Sequence, residues 1–402
     1  MHVAVIGGRL QGLEAVYLAK KAGWEVTLID KCSGIPAQNI CDHFYELNVC
    51  EAESLGEIIK GVDLIIPALE SQGALNSLAE TSQSLNVPYV FDPESYKISV
   101  SKTVSDRLFA DLAVPAPVPW PDCGFPVIVK PVESSGSEGV LLIRSPEEFA
   151  AFRDQIGRRE EEWVVQEYLA GPSYSIEVIG CSGRYLPLQV TELEMDDLYD
   201  CKRVRVPSGL SIEHEMQFAQ IASTIAEKLD IKGVMDVEVI LHDNKLKVLE
   251  IDARLPSQTP TAVYKSTDIN ILELLAESYL TGRLPEKILP KRQRAAIFEH
   301  IVVSPDLVAI SGEHAVSSAG PLNYREGFFG ADEALTNYVP GRNSWMATII
   351  NTGGSREEAF LKRNRVIRRI MKAMDIDNYL DPLPVVKNYN NSGVSGHDQA
   401  SS

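Results

Sequence analysis

Two rhythms of apolar and polar residues divide the chain. In the first hundred residues, short apolar runs (HVAVIG at 2–7, EVTLID at 25–30, DLIIPAL at 63–69, PYVFD at 88–92) are separated by stretches with apolar residues every three or four positions, the first from about Leu10 to Lys20. Strands alternating with amphipathic helices predict a parallel, doubly wound α/β sheet over residues 1–98. From about Ser99 the pattern becomes α+β. It opens with a helix near Lys102 and a proline-rich connector over Pro115–Pro121, followed by strands at Val127–Lys130 and Val140–Ile143 and the β-rich run WVVQEYLAGPSYSIEVIG. A helix over Glu213–Leu229, a hairpin and a helix near Ile269–Leu280 complete this unit, predicted to span 99–284. A third segment, 285–380, carries the strands RAAIFEHIVV and SWMATIINTG. It ends in a helix from Ser355 to about Met374, with Ser355 and Glu358 as a capping box and its Lys and Arg residues as a solvated face. Residues 381–402, rich in Asn, Ser and Gly from Asn388, read as a flexible tail.

The hairpin carries the most informative polar pattern. In GVMDVEVILHDNKLKVLEIDARLPS, the strands Val234–Leu241 and Leu246–Asp252 meet at a turn on Asp243-Asn244, and Asp236, Glu238, Glu250 and Asp252 all fall on even positions. A three-residue loop would set Glu238 opposite Glu250 and Asp236 opposite Asp252 on one face. Like charges facing each other across a ladder are destabilising unless a cation neutralises them, and hard oxygen ligands suit magnesium better than zinc. The competing reading is a solvated acidic face on an edge hairpin.

Composition narrows the options. The 402 residues are 45% hydrophobic, enough for two or three domains with cores. No run approaches a membrane span and the N-terminus enters a strand directly, so the expected location is the cytoplasm, with no membrane partner. The six cysteines include no C-x-x-C pair, which argues against zinc and a disulfide framework. A net charge of -18 argues against nucleic acid as a partner and is compatible with small cationic substrates.

Two glycine-rich loops are candidates for phosphate contact. Gly7-Gly8-Arg9-Leu10-Gln11-Gly12 follows the first strand as a dinucleotide fingerprint would, and Asp30 ends the second strand where a ribose-binding acid would sit. Arg9, however, stands where close approach of a pyrophosphate needs glycine, so a plain strand-to-helix turn is the competing reading. The carboxyl ends of such strands form the usual ligand crevice, making Leu10, Gln11, Glu70, Ser71 and Gln72 candidate substrate contacts. The second loop, Glu133–Gly139, offers Ser135, Gly136 and Ser137 as donors to phosphate, with no Gly-Lys-Ser/Thr and no following helix. Lys130 ends an apolar strand directly before it, a position suited to meeting an anion. Past this loop, backbone groups at Gln166, Glu167, Tyr168 and Leu169 could read an adenine edge.

Lys102, Lys130, SSGSEG, VVQEYLAG, DVEV and LEIDARLPS, in this order and at these intervals, resemble the ATP-grasp superfamily over about Ser99–Leu284. Met1–Pro93 is similar to the Rossmann-like domain that precedes the grasp fold in its carboxylate-amine ligases. The resemblance implies an ATP-grasp domain with a mobile lid at about 109–180, Lys102 and Lys130 on ATP phosphates, Gln166–Leu169 on adenine, and Glu238 and Glu250 on Mg²⁺. Asp252 replaces a common Asn and would strengthen a second metal ion. Pro172-Ser173 replaces a common ribose-binding glutamate, leaving the ribose to Glu167 or Ser173. Similarity over most of the chain is greatest to the ligases of pyrrolysine biosynthesis, which implies L-lysine and 3-methyl-D-ornithine as substrates. A homodimer is the family expectation.

Such a site activates a carboxylate as an acyl phosphate that an amine then captures. Arg254 could stabilise the tetrahedral oxyanion. Arg203 and Arg205, alternating in KRVRVP, either fork onto the substrate carboxylate or transferred phosphate, or form a solvated strand face. Glu177 is a candidate base or ammonium anchor. Asp196, Asp197, Asp200 and Glu70 are further ammonium contacts, and Ser257 with Arg254 could meet a carboxylate. Other readings are a D-alanine–D-alanine-like or biotin-carboxylase-like ligase, a non-catalytic ATP sensor, and a nicotinamide oxidoreductase, which leaves the carboxylate hairpin unexplained.

Overall fold

The computed structural model of the chain describes residues 1–132, 139–157 and 162–384. The first hundred residues form β1 (His2–Ile6), α1 (Leu10–Lys21), β2 (Glu25–Asp30), β3 (His43–Glu46), α2 (Ala52–Ile59), β4 (Leu64–Pro67), α3 (Gln72–Leu85) and α4 (Pro93–Ser99). The four strands are parallel, in the order β3-β2-β1-β4. Alternation along β1 explains the two layers of helices: Val3 and Val5 pack with α1, while Ala4 and Ile6 pack with α2 and α3. PYVFD contributes a bridge between Tyr89 and Ile65 rather than a strand. β3, half exposed and polar, has no apolar run to announce it.

Next come α5 (Lys102–Asp111), β5 (Val127–Pro131), β6 (Leu141–Ile143), α6 (Pro146–Ile156) and β7 (Trp163–Glu167). The three strands make a separate antiparallel sheet, β6-β5-β7, with a small core of Val127, Val129, Leu141 and Ile143 against Phe152 and Ile156.

The remaining strands share one twelve-stranded sheet. They are β8 (Ser173–Cys181), β9 (Arg184–Pro187), β10 (Thr191–Met195), β11 (Cys201–Val206), then, after α7 (Ile212–Leu229), β12 (Gly233–His242) and β13 (Lys245–Asp252). After α8 (Thr259–Thr267) and α9 (Ile271–Thr281) follow β14 (Ala295–Val303), β15 (Leu307–Ile310), α10 (His314–Ser317), β16 (Asn323–Glu326), β17 (Glu333–Thr336), β18 (Trp345–Gly353), α11 (Arg356–Met374) and β19 (Asn378–Leu380). The main order is β13-β12-β8-β10-β11-β14-β18-β17-β16. On one face α7 lays Phe218, Ile221 and Ile225 against Ile176, Val178, Val237 and Val239, and α11 packs Val366, Ile367 and Ile370 farther along. On the other face α1, α8 and α9 bury Val204, Phe298 and Ile350. α11 differs from its expected solvated character at Arg363, which is buried on Glu299.

The hairpin reaches the expected register by another device. Its turn has two residues, Asp243 and Asn244, both at positive φ (48° and 61°), and pairs His242 with Lys245. A regular strand from there would aim Glu250 and Asp252 to the same side as Leu246 and Val248, into the α7 core. A bulge at Leu249 prevents this: Val239 pairs with Val248, but Glu238 with Glu250 and Asp236 with Asp252. Leu246 and Val248 before the bulge and Ile251 and Ala253 after it therefore share one core, and both acids face the other way.

Candidate active site

The hairpin face is a sheet of acids. Glu238 and Asp236 stand opposite Glu250 and Asp252, and on β8 Glu177 lies directly across from Asp236. Burial, then mutual repulsion, pushes Asp236 and Glu238 well above the carboxylate range. Asp252 is raised by burial to about 6, although Arg254 acts against the shift. Two lysines meet this face. Lys130 is 5% exposed on β5; burial lowers its pKa, with Glu250 and Asp106 opposing. Lys102, in the first turn of α5, lies within the electrostatic reach of Asp106 and Asp252. Among the described residues no three His, Cys, Asp or Glu groups close a metal cage by themselves. The set fits Mg²⁺, which binds through one or two carboxylates and shares its remaining positions with phosphate oxygens and water.

Beside the carboxylates lies a cavity of about 560 Å³ at the carboxyl ends of β1 and β4, lined by Leu10, Gln11, Glu70, Ser71, Arg254, Ser257, Glu313 and His314 among others. A polar line joins the two. Gln11 Nε2 donates to Glu70 Oε1 at 3.1 Å, and Arg254 contacts Glu70 at 2.9 Å and Asp252 at 3.0 Å. Glu313 accepts from Ser257 Oγ and Gln258 Nε2, each at 2.6 Å. Burial raises its pKa and those two donors work against the rise. Glu313 and His314 escape sequence reading, because the stretch from β15 into the four-residue α10 has no strong period to place them.

Several expected contacts are placed elsewhere. Arg203 and Arg205 pair with Glu194 and Glu192, which puts them on the α11 face, opposite from Glu238. Neither a substrate contact nor a solvated face describes them. Arg203 is 3% exposed and held by Glu194, Glu299 and Asp381, while Arg205 lies 2.7 Å from Glu194. Asp200 receives the backbone N–H of His314 at 2.9 Å and its ring at 2.8 Å, so it fixes the cavity wall instead of projecting into it. Asp196 takes the amides of Leu198, Asp200 and Gly312. Gln72 is exposed and turns to Asn76 along its own helix. Asp30 accepts from the amides of Gly8 and Cys32, as a structural turn requires. A Cβ on Gly12 would lie 2.0 Å from the Gly7 oxygen, so packing alone accounts for that glycine.

In the expected adenine segment, Gln166 is buried and Leu169 is 7% exposed. The amides of Glu167 and Tyr168 donate to Val118 and Pro126, and the Glu167 carboxylate holds Lys247 at 2.5 Å. Ser173 opens β8 between Leu193 and Ile240. Ser135, Gly136 and Ser137 lie outside the described residues.

With this geometry the chain can be compared with known proteins. The sequence profile of the ATP-grasp domain matches residues 101–258. A 3-methyl-D-ornithine–L-lysine ligase from Methanosarcina mazei is 36% identical over 366 residues, covering 90% of this chain and 94% of that one. The chain belongs to this ligase family. A further member, from Methanosarcina barkeri, is 34% identical over 362 residues, covering 90% of this chain and 95% of that protein. Membership makes the chain an ATP-dependent carboxylate-amine ligase, and the nicotinamide reading falls. Among solved structures, a biotin carboxylase from Campylobacter jejuni aligns with a TM-score of 0.71 at 15% identity, covering 92% of this chain and 91% of that one. An N5-carboxyaminoimidazole ribonucleotide synthetase from Thermotoga maritima aligns at 0.61 and 19%, covering 91% and 98%. At those identities the likeness shows the shared ATP-grasp fold. No helix among the described residues is long and apolar enough to cross a membrane.

Proposed function

We propose that the chain joins the carboxylate of 3-methyl-D-ornithine to the ε-amine of L-lysine, using ATP and two Mg²⁺ ions, in the cytoplasmic synthesis of pyrrolysine. The observation that carries this reading is the polar line Gln11–Glu70–Arg254–Asp252, which ties a cavity of amino-acid size to the carboxylate face. Lys102 and Lys130 hold the ATP phosphates and the Gln166–Leu169 segment receives the adenine; of the lid expected at about 109–180, the part from Ser173 on is β8 of the twelve-stranded sheet. Glu238, Glu250 and Asp252 would hold Mg²⁺, which when bound draws charge from the transferred phosphoryl group.

The substrate carboxylate attacks the γ-phosphorus and releases ADP, leaving an acyl phosphate. The amine then attacks the acyl carbon, inorganic phosphate departs, and the nitrogen loses a proton. Arg254 stands between cavity and carboxylates, where the tetrahedral oxyanion develops, and its charge favours that state over the planar acyl group. An ε-ammonium with a pKa of about 10.4 must shed a proton before attack. Glu313, on the cavity wall, suits the role of base at that nitrogen, since a raised pKa favours taking up the proton. Glu177, buried on β8 across from Asp236, keeps its place as a proposed base or ammonium anchor on the other side of the site. A homodimer is part of the proposal, and the nearest support is the dimer named for the biotin carboxylase domain of a 2-oxoglutarate carboxylase of like fold.

The test is ADP release with ATP, Mg²⁺ and L-lysine, with and without 3-methyl-D-ornithine, followed by product mass. We expect ADP to depend on both amino acids and the product to equal their sum less water. Glu238→Gln and Glu250→Gln should each abolish turnover with circular dichroism unchanged. Normal ADP release by either variant overturns the metal assignment.

A further inference from the structure

A second cavity, of about 570 Å³, lies at the other end of α8 from the cavity beside the carboxylates. α8 begins just past Ser257, on the wall of the first cavity, and its last turn places Ser266 and Thr267 on the wall of the second. The nine residues of the helix, at about 1.5 Å each, separate the two by roughly 13 Å. The other walls are the connection between β9 and β10, the turn after β11, the segment leading into β14 and the start of α11.

The two cavities differ in charge. The first mixes Asp30, Glu70 and Glu313 with its basic residues, whereas no Asp or Glu is among the described residues that line the second, which carries Arg294 and Arg356. In a chain with 56 acids against 38 Lys and Arg, a wall drawn at random would hold more acids than bases. The two arginines are not equivalent. Arg356 is engaged within the fold, donating to the Pro207 carbonyl and to Glu192. Arg294 is held in place but less fully paired. Its Nε donates to the Lys265 carbonyl and its own carbonyl accepts from Ser266 Oγ at 2.6 Å, so the last turn of α8 braces it twice. The acid it faces, Asp268, is 3.8 Å from its Nη2 and already takes Arg292 Nε at 2.7 Å. A braced guanidinium with an open edge matches the geometry of a carboxylate. Around it Leu188, Ile269, Ile288, Pro207 and Pro290 make the wall largely apolar.

We propose that this cavity binds a small organic monocarboxylate, with its charged end on Arg294 and its hydrocarbon body against Leu188, Ile269 and Ile288. One incompletely paired guanidinium suits a single negative charge, and the apolar wall favours a hydrocarbon chain over inorganic phosphate, which would lose hydration there without replacement. Diamino acids, with a net positive charge, are disfavoured beside two guanidiniums. The ligand is therefore not an amino acid of the proposed reaction, and the assignment does not rest on the ligase reading.

Calorimetric titration of the full chain with 4-methylpentanoate tests this. The controls are 4-methylpentanamide, which keeps the hydrocarbon without the charge, and acetate, which keeps the charge without the hydrocarbon. We expect one saturable site per chain, unaffected by saturating ADP or L-lysine, and binding of both controls at least tenfold weaker. Arg294→Gln should lower the affinity at least tenfold. Because Arg294 also braces α8, Ile288→Glu is the second variant. It sets an acid on the wall from a half-buried position and should cause a similar loss with the unfolding midpoint unchanged. Equal binding of the amide, competition by ADP or L-lysine, or no saturable binding overturns the proposal. None of these results bears on the ligase reading, since no turnover is measured.

Discussion

Arg254 touches two acids with one guanidinium, Glu70 on the cavity side and Asp252 on the hairpin. A group held from both sides is oriented before substrate arrives, which is the condition for electrostatic stabilisation without reorganisation. Arg254→Met should lower kcat by about 100-fold or more while leaving ATP affinity within about twofold, read by stopped assays and nucleotide titration. A loss confined to ATP affinity would place the residue on the nucleotide instead. At this scale the sequence was legible where chemistry and period coincide. Glu238 announces itself by alternating with the buried Val237 and Val239, and Lys130 by ending an apolar strand. Arg203 and Arg205 misled because one strand was weighed alone. The acids of TELEM alternate with the same period as the cations of KRVRV, and that match between neighbouring strands is the signal of a cross-strand ion ladder. Glu313 carried no signal, as its placement depends on Ser257, Gln258 and the Asp200–His314 contact, which come from other elements.

The β12–β13 hairpin shows what an element adds to its residues. Its turn alone would send Glu250 and Asp252 into the core with Leu246 and Val248; one extra residue, Leu249, reverses the alternation. Shifting a strand by one residue exchanges its faces, so the site depends on where that residue stands. Deleting Leu249 should be tolerated, because Glu250 then follows Val248 in regular alternation and still faces Glu238. The variant should fold and retain Mg²⁺-dependent ADP release, while deletion of Ile251 should turn Asp252 toward α7 and eliminate release. Equal loss in both deletions would mean that the curvature of the bulge, and not the facing of the acids, is what the site needs. The carboxylate pairing was legible in the sequence because the even spacing of the acids demands a common face. The bulge was not, since a three-residue loop produces the same pairing. What separates the two solutions is the burial of Leu246 and Val248, a property of α7 packing that the hairpin sequence does not contain.

The ends of the chain meet at Glu333 on β17. Its carboxylate accepts from Tyr17 and from Lys21 at 2.8 Å, both in α1, and from Lys265 of α8 at 2.7 Å. One acid thereby ties the first helix, the helix beside the cavity and a strand more than three hundred residues away. Neither the βαβ rhythm of the first hundred residues nor the alternation of the last hundred predicts this seam, because each pattern describes only how its own segment buries its apolar face. Burial raises the pKa of Glu333, but the three donors outweigh it and hold the group at about 2. A carboxyl depressed on folding contributes stability above its unfolded pKa of about 4.3 and loses that contribution as the pH falls through the folded value near 2. Glu333→Gln leaves Lys21 and Lys265 facing each other with no counter-charge, a change that should cost about 3 kcal/mol at pH 7. Urea unfolding at pH 7 and at pH 3 checks both statements: the gap between wild type and variant should narrow at pH 3. Because α1 also carries Gln11 on the cavity wall, loosening this seam should weaken amino-acid binding before it weakens ATP binding. An unchanged KM for both amino acids in a destabilised Glu333→Gln protein would show that the seam holds the fold together without setting the geometry of the site.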